Sequence, residues 1–376
     1  MVRSNDRIVF VHSSDELYGA DRILLELLDA VPSTSQVQVW LPSDLKHPAN
    51  PLCARLTDSG YQIRHLELPI MRRAYQTPSG LLRLALRTRQ LTRELRELEP
   101  ELVYCTTSAG FLAAPAARLA GVPEVLGHVQ EIWSRKERVI LGTLASSCHR
   151  LLVISEAVRL ALPISLRGRA AVLLNATRSP GESVATEART GRLRFLMASR
   201  WNAWKGYPTL LRAWDMADSP GELVILGGPP PSGEQIDVRR LVGQLRDPSS
   251  VTIVGEVADS APYFAEADVV LVPSDQPEPF GLVAIEAFAR GIPVVASAAG
   301  GLMEIVTHKQ DGWLYPPGDA RALAAVLRRL DRSAVAAAGS TARRTYEERF
   351  TIDRFADEWR EAVFGGPAYA GNELTC

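Results

Sequence analysis

The sequence predicts an α/β protein built as two successive parallel sheets, each covered by helices. Three observations predict it. Short runs rich in Val, Ile and Leu alternate with segments of helical periodicity along nearly the whole chain. The alternation breaks once, over residues 177–192, which are rich in Ser, Thr, Gly and Glu, and then restarts. The length of 376 residues exceeds one ordinary core and fits two domains.

The elements follow in order. Residues 8–11 (IVFV) read as a buried strand, and a polar loop, His12–Tyr18, leads to Gly19. Ile23, Leu24, Leu27, Leu28 and Val31 then fall at helical spacing. Strands are expected at 37–40, 61–68, 102–105, 124–128, 151–155 and 171–175, with helices near 52–59, 79–98 and 110–120. After the break, strands are expected at 193–199, 222–226, 251–254, 268–273, 292–297 and 313–315. Helices are expected at 207–217, 234–245, 260–267, 282–290, from 302, at 319–331 and at 333–348. Runs of apolar strands mean sheets covered on both faces. Two Rossmann-like domains of this kind would face a central cleft, and ligands would bind there at the carboxyl ends of the strands. A last helix starts at Thr351, a good N-cap, and carries Ile352, Phe355, Ala356, Trp359 and Val363 on one apolar stripe.

Composition narrows the function classes. With 46% hydrophobic and 23% charged residues, the chain is neither disordered nor fibrous, nor a disulfide-knotted miniature. Its net charge of -1 gives no global attraction to nucleic acid, which is not expected as a partner. The charge is uneven: 22 Lys+Arg against 17 Asp+Glu in residues 1–180, and 20 against 26 in the remainder. Only four cations are Lys (Lys46, Lys136, Lys205, Lys309), so a functional Lys stands out. The cysteines, Cys53, Cys105, Cys148 and Cys376, form no C-x-x-C pair and do not sit at metal-ligand spacing from a histidine pair. They read as free thiols of a reducing compartment. With no signal-peptide core and no long apolar window, the expected location is cytoplasmic. There is no G-x-G-x-x-G after the first strand, no G-x-x-x-x-G-K-[ST] and no D-x-D, which argues against dehydrogenases, P-loop NTPases and a carboxylate-held Mg²⁺.

The richest stretch is 271–304, LVPSDQPEPFGLVAIEAFARGIPVVASAAGGLME. A strand ends, a Pro-rich turn reaches Glu278, and Phe280-Gly281-Leu282 opens a helix holding Glu286. The eight-residue separation of the two carboxylates is just over two helical turns. Backbone N–H groups at 280–282 and the helix dipole favour an anion, and Gly281 permits close approach. A carboxylate suits vicinal sugar hydroxyls. Read alone, E-x7-E is more often a capped helix with solvated glutamates.

Its surroundings carry more. The run P-x-E-P-F-G-L-V-x-I-E-A-x-A-x-G-x-P-V-V-A with the following G-G-L-x-E resembles the retaining GT-B glycosyltransferases of family 4. SRWNAWKGYPTLLRAW (199–214) is similar to that family's R-x4-K-G segment. Other matching pieces are GADRILLEL (19–27), VISEA (153–157), Asn175, VGEV (254–257), DGWLYPPGD (311–319) and RFTIDRFADEW (349–359). The resemblance spans almost the whole chain. It is strongest over 193–330 and loosest over 40–120, where an acceptor would bind.

The resemblance implies an acceptor-binding domain at 1–180, with 351–366 packing back on it, and a donor-binding domain at 193–350. It implies that Arg200 and Lys205 hold the donor diphosphate on a solvated rim, that Glu278 contacts sugar hydroxyls and that Glu286 binds the ribose. Phe280, Gly281 and Leu282 would offer backbone donors, Val257 would lie near the base, and Gly19 would let the first loop approach the diphosphate. His128 in GHVQE resembles the family histidine that touches the transferred sugar, with Glu131 as a partner in the same loop; a capped structural imidazole is the other reading of that residue. The sequence departs from the pattern at Tyr18-Gly19, where a glycine pair is usual, and at GGPPPSG (227–233).

The implied reaction is transfer of a sugar from a UDP- or GDP-sugar to a hydroxyl of a saccharide, lipid-linked or small-molecule acceptor, as in envelope or polysaccharide synthesis. Fixed cations would stabilise the leaving diphosphate, so no metal and no cofactor are expected. No carboxylate is clearly placed as the nucleophile of a double displacement, which favours retention by same-face attack. Competing readings are a nucleotide-sugar epimerase, with His128 and Glu131 as acid/base candidates, a phosphorylase, and a non-catalytic partner subunit. The basic helix around Arg83–Arg96 has two readings, a solvated face and a peripheral contact with an anionic membrane at its inner face.

Overall fold

A computed structural model describes residues 3, 6–44, 50–72, 75, 77–180, 190–229 and 234–365. The chain forms two compact units, Met1–Asn175 with Asp353–Cys376, and Ala176–Ile352. The first unit therefore ends at Asn175 and resumes at Asp353, and most of the expected junction at 177–192, residues 181–189, lies outside the described residues.

In the first unit, β1 (Arg7–Val11), α1 (Gly19–Ala30), β2 (Gln36–Pro42), α2 (Pro51–Asp58), β3 (Gln62–Leu66), α3 (Pro78–Leu98) and β4 (Leu102–Cys105) follow one another. Then come α4 (Ala113–Ala120), β5 (Glu124–Val129), α5 (Arg135–Ala145), β6 (Arg150–Val153), α6 (Glu156–Ala161), α7 (Ile164–Arg167) and β7 (Ala170–Val172). Every strand pair is parallel, in the order β3-β2-β1-β4-β5-β6-β7. β1 and β4 are neighbours although two strands and three helices separate them in the chain, so the winding reverses between them. Their carboxyl ends form the switch point where such sheets place ligands.

The second unit repeats the plan with β8 (Leu193–Ala198), α8 (Tyr207–Met216), β9 (Gly221–Leu226), α9 (Val238–Val242), β10 (Val251–Gly255), α10 (Ala261–Glu266) and β11 (Val269–Val272). It continues through α11 (Leu282–Phe288), β12 (Val294–Ser297), α12 (Leu302–Ile305), β13 (Gly312–Tyr315), α13 (Ala320–Leu327) and α14 (Arg332–Arg349). The parallel order is β10-β9-β8-β11-β12-β13, with the reversal between β8 and β11. Its core is apolar and close-packed; Trp214 meets Phe195 edge-on at 5.2 Å and its indole N–H reaches Ser250 Oγ at 3.0 Å.

The last helix, α15 (Ile352–Phe364), belongs to the first unit beyond its opening residue. Trp359 is fully buried against Phe10 of β1 and Tyr104 of β4, with ring centroids 6.4 and 6.1 Å apart. Arg354 donates to the Leu174 carbonyl at 2.7 Å and Arg360 to that of Ala30 at 2.8 Å. The amphipathic stripe thus returns to the first sheet, as its apolar spacing requires; residue 366 lies outside the described residues.

Helices α6 and α7 were not expected, and two further elements differ from expectation. Helix α5 was not anticipated, although Ser134 and Glu137 form a capping box that the S-x-x-E spacing encodes. Helix α9 is five residues, shorter than the twelve expected, because Asp237 caps it at Arg240 N and Gly243 follows it; residues 230–233 of the preceding loop lie outside the described residues.

Candidate functional site

A polar cluster of the second unit sits at its switch point. After β8 the chain runs through Arg200 to Lys205, and after β11 it runs through Ser274 to Glu278. Lys205 Nζ lies 2.6 Å from Glu278 Oε1, and Ser274 Oγ donates to the same oxygen at 2.6 Å. Glu278 is 6% exposed and Lys205 half-buried, its ammonium 4.0 Å over the Trp204 ring. Lys205 is thus one half of a largely buried ion pair.

Glycines make this approach possible. Gly206 has φ +78°, and a Cβ there would stand 1.8 Å from the Pro273 carbonyl oxygen. Only glycine lets the backbone after Lys205 press against the strand end that leads to Glu278, which is the physical content of the K-G pair. The Asp275 N–H then donates to the Trp204 carbonyl at 2.8 Å, tying the two loops. Further on, Gly300 has φ +65° and its missing Cβ would lie 2.1 Å from the Glu278 carbonyl oxygen. Gly301 N–H donates to that carbonyl at 2.8 Å. The A-G-G turn after β12 is therefore a clamp on the backbone of Glu278.

The other residues expected on this unit are spread around the cluster. Arg200 follows β8 and is half-buried. Phe280 is a core anchor, 3% exposed and edge-on to Phe350 at 6.1 Å, so its side chain is committed to packing. Gly281 has φ +129° and precedes α11, which Leu282 opens and which carries a half-buried Glu286. Val257 lies half-buried just beyond β10.

In the first unit, the loop after β1 is held by a buried network that sequence reading missed. His12 is fully buried; Nδ1 lies 2.6 Å from Thr106 Oγ1 and Nε2 lies 2.8 Å from Asp21 Oδ1. Ser14 Oγ donates to the same carboxylate oxygen at 2.7 Å, and Tyr18 N–H donates to Asp21 Oδ2 at 2.8 Å. Burial raises the Asp21 pKa, but the bonds and charge of His12, with Ser14 and Tyr18, outweigh it and hold the carboxyl below its ordinary value. This network fixes the turn into α1, whose first residue is Gly19. A signal existed: Tyr18-x-x-Asp21 carries an acidic residue three positions after the cap.

His128 lies one residue before the end of β5 inside the first unit and is 0% exposed. Trp359 Nε1–H donates to Tyr104 Oη at 3.3 Å, and that hydroxyl lies 3.1 Å from His128 Nδ1. His128 Nε2 is buried without a hydrogen-bond partner among the described residues. Burial pushes the imidazole down to about 3, so it is neutral at physiological pH. Glu131 is not its partner, contrary to expectation: Glu131 Oε2 accepts from Ser108 Oγ at 2.6 Å, and Trp133 donates to that hydroxyl at 3.0 Å. Burial raises the Glu131 carboxyl. The imidazole and carboxylate are engaged separately.

Comparison with known proteins places this geometry. Residues 192–332 match the family model described as glycosyl transferases group 1. An uncharacterised glycosyltransferase of Methanocaldococcus jannaschii is 40% identical over 127 residues, 32% of this chain and 31% of that protein. The D-inositol 3-phosphate glycosyltransferase of Xylanimonas cellulosilytica is 38% identical over 173 residues, 45% of this chain and 39% of that protein. The matched stretches thus span well under half the length of these curated relatives. Among solved structures, Anabaena HepE in complex with UDP and glucose superposes with a TM-score of 0.77 at 22% identity, covering 95% of this chain and 99% of that one, which establishes the fold. The chain therefore carries a glycosyl transferases group 1 segment within the two-sheet GT-B fold.

Proposed function

We propose that the protein is a retaining glycosyltransferase of family 4 that moves a sugar from a nucleotide-diphosphate donor, a UDP-sugar in the first instance, to a hydroxyl acceptor without a metal ion or cofactor. The observation that carries the reading is the Lys205–Glu278–Ser274 cluster at the switch point of the second unit, with Arg200 entering from the same strand end. The ammonium has three donors, of which Glu278 takes one, so the others remain for phosphate oxygens. Arg200 adds a planar fork. Together they stabilise the charge that grows on the diphosphate as the glycosyl bond breaks, each contact worth about 3–4 kcal/mol by analogy with oxyanion donors. Glu278, held by its backbone clamp, takes sugar hydroxyls, and Glu286 takes the ribose. Val257 lies by the base, and the backbone of 280–282 and the turn at Gly19 approach the donor. His128 acts as a neutral N–H donor to the sugar through Nε2, not as a base.

The second unit is the donor side and the first the acceptor side. The acceptor is an envelope or polysaccharide saccharide, with the protein working in the cytoplasm at the inner face of the membrane. No helix of the described residues is long and apolar enough to cross a membrane. Helix α3 supports a peripheral contact instead: Leu82, Leu86, Arg89 and Arg93 form one exposed stripe, and Leu81, Leu82 and Leu86 are 62%, 63% and 58% exposed. Arg87 is not part of it; it is 4% exposed and paired with Asp44 at 2.7 Å.

The test is a donor panel with oligosaccharide acceptors, following nucleoside diphosphate release with and without EDTA and the anomeric configuration of the product. Transfer with retained configuration in EDTA supports the reading. An inverted product sinks retention, and loss of transfer restored by Mg²⁺ sinks the metal-free diphosphate site. Sedimentation with anionic and zwitterionic vesicles tests the α3 contact, which requires binding to the anionic ones alone.

A further inference from the structure

Away from this cluster, one constellation of the first unit joins three kinds of metal ligand. Asp15 lies in the loop after β1, Cys53 in the first turn of α2 and His65 one residue before the end of β3. One ligand atom of each lies within 4.8 Å of the other two. Asp15 is 3% exposed and its Oδ1 accepts the Cys53 N–H at 2.8 Å, so its carboxylate is already oriented toward the head of α2. Cys53 is a half-buried free thiol and His65 is exposed. Residues 15, 53 and 65 match no local metal motif, which is why reading the spacing found none.

We propose that Asp15, Cys53 and His65 bind a zinc-class divalent ion in a three-ligand site with one open position. The donor set of one thiolate, one imidazole and one carboxylate selects a borderline-soft ion such as Zn²⁺ and disfavours Mg²⁺ and Ca²⁺, which take oxygen. Bonds of about 2.0–2.3 Å at tetrahedral angles bring ligand atoms to about 3.3–3.8 Å from one another. The side chains therefore need to close by about 1–1.5 Å, within reach of rotamer adjustment at a half-buried Cys and an exposed His. Binding replaces the Cys53 S–H bond with an S–Zn bond and releases that proton to solvent. Asp15 and His65 enter as carboxylate and neutral imidazole. The fourth position is left to water. The ion would tie the loop after β1 to α2 and β3.

Cobalt substitution tests it on the full-length protein. Metal-stripped protein is titrated with Co²⁺, following the thiolate-to-cobalt absorption band, and then with Zn²⁺ against a chromophoric chelator. The expected result is one ion per chain, a thiolate band and one proton released. Cys53→Ser should abolish the band and weaken Zn²⁺ binding at least about a hundredfold, and His65→Gln should weaken it about ten- to a hundredfold. Both positions are accessible, so both variants should fold, with thermal midpoints matching the metal-free wild type. Absence of the band, its persistence in Cys53→Ser, or unchanged affinity in His65→Gln overturns the site. Cys105 and Cys148 do not mimic it, being buried with thiol pKa values raised, that of Cys148 to about 12. None of these readouts depends on donor turnover, so their failure leaves the transferase reading standing.

Discussion

Removing the Lys205 ammonium should have two separable effects. Glu278 Oε1 has Lys205 at 2.6 Å and Ser274 at 2.6 Å, and the Glu278 side chain is 8% exposed. At that distance and an effective dielectric of about 20, the gross attraction is about 6 kcal/mol. Most of it offsets desolvation of the two charges. In Lys205→Ala the carboxylate stays buried with only a hydroxyl donor, and orphaning one member of a buried pair costs about 3–5 kcal/mol. Because the Lys205 side chain is 21% exposed, water enters and the lower half of that range applies. Turnover should also fall at least about a hundredfold through the lost transition-state charge. Lys205→Met combined with Glu278→Gln removes both charges, so it should recover most of the stability and none of the turnover. Urea unfolding of Lys205→Met, Glu278→Gln and the double variant gives the stability cycle, and nucleoside diphosphate release gives kcat. A Lys205→Ala protein as stable as wild type would refute the buried pair. Near-normal turnover would refute the diphosphate role, and a double variant no more stable than Lys205→Ala would show that stranded charge is not the cause.

Three further outcomes are expected. Glu286→Ala should weaken calorimetric affinity for the free nucleoside diphosphate about tenfold or more with kcat little changed, since a ribose contact exists in ground and transition states alike; unchanged affinity moves that contact elsewhere. Trp359→Ala should cost about 3–5 kcal/mol, because a fully buried indole packed on Phe10 and Tyr104 is lost; a loss below about 1 kcal/mol contradicts the packing. His128 titrates at about 3 in the fold against an ordinary 6.5, so below pH 6.5 the unfolded chain binds a proton that the folded chain does not. Its contribution to stability should therefore fall by up to about 1.4 kcal/mol per pH unit between roughly pH 6 and 4, and be constant above 7. Urea midpoints for wild type and His128→Phe should converge over that window, and parallel curves would refute the neutral, desolvated ring.

Periodicity located nearly every strand, because sheets buried on both faces write themselves as continuous apolar runs, as in Ile8–Val11 and Val269–Val272. Helix α5 escaped because its outward residues Val139 and Ile140 are 70% and 62% exposed, which blurs the amphipathic signal that marks a helix. At the candidate site, residue types and spacing picked out Lys205 and Glu278, but not that they neutralise each other, since that depends on Gly206 pressing on Pro273 across two strands. His12 with Asp21 and Asp15 with Cys53 were invisible for the same reason: each joins segments that only the fold brings together.

The return of the last helix has a consequence during synthesis. The second unit is one continuous stretch, Ala176–Ile352, inserted between the two parts of the first. A ribosome delivers that stretch whole, so it can fold as soon as it emerges. The first unit, although its sheet is made earlier, waits for Trp359 to cover Phe10 and Tyr104. At about 5–20 residues per second, the interval between Asn175 and Trp359 leaves that apolar face uncovered for roughly 10–40 seconds. The half of the molecule translated first is thus the half completed last, and a nascent chain stopped before residue 355 should present a finished second unit beside a sheet that chaperones still hold.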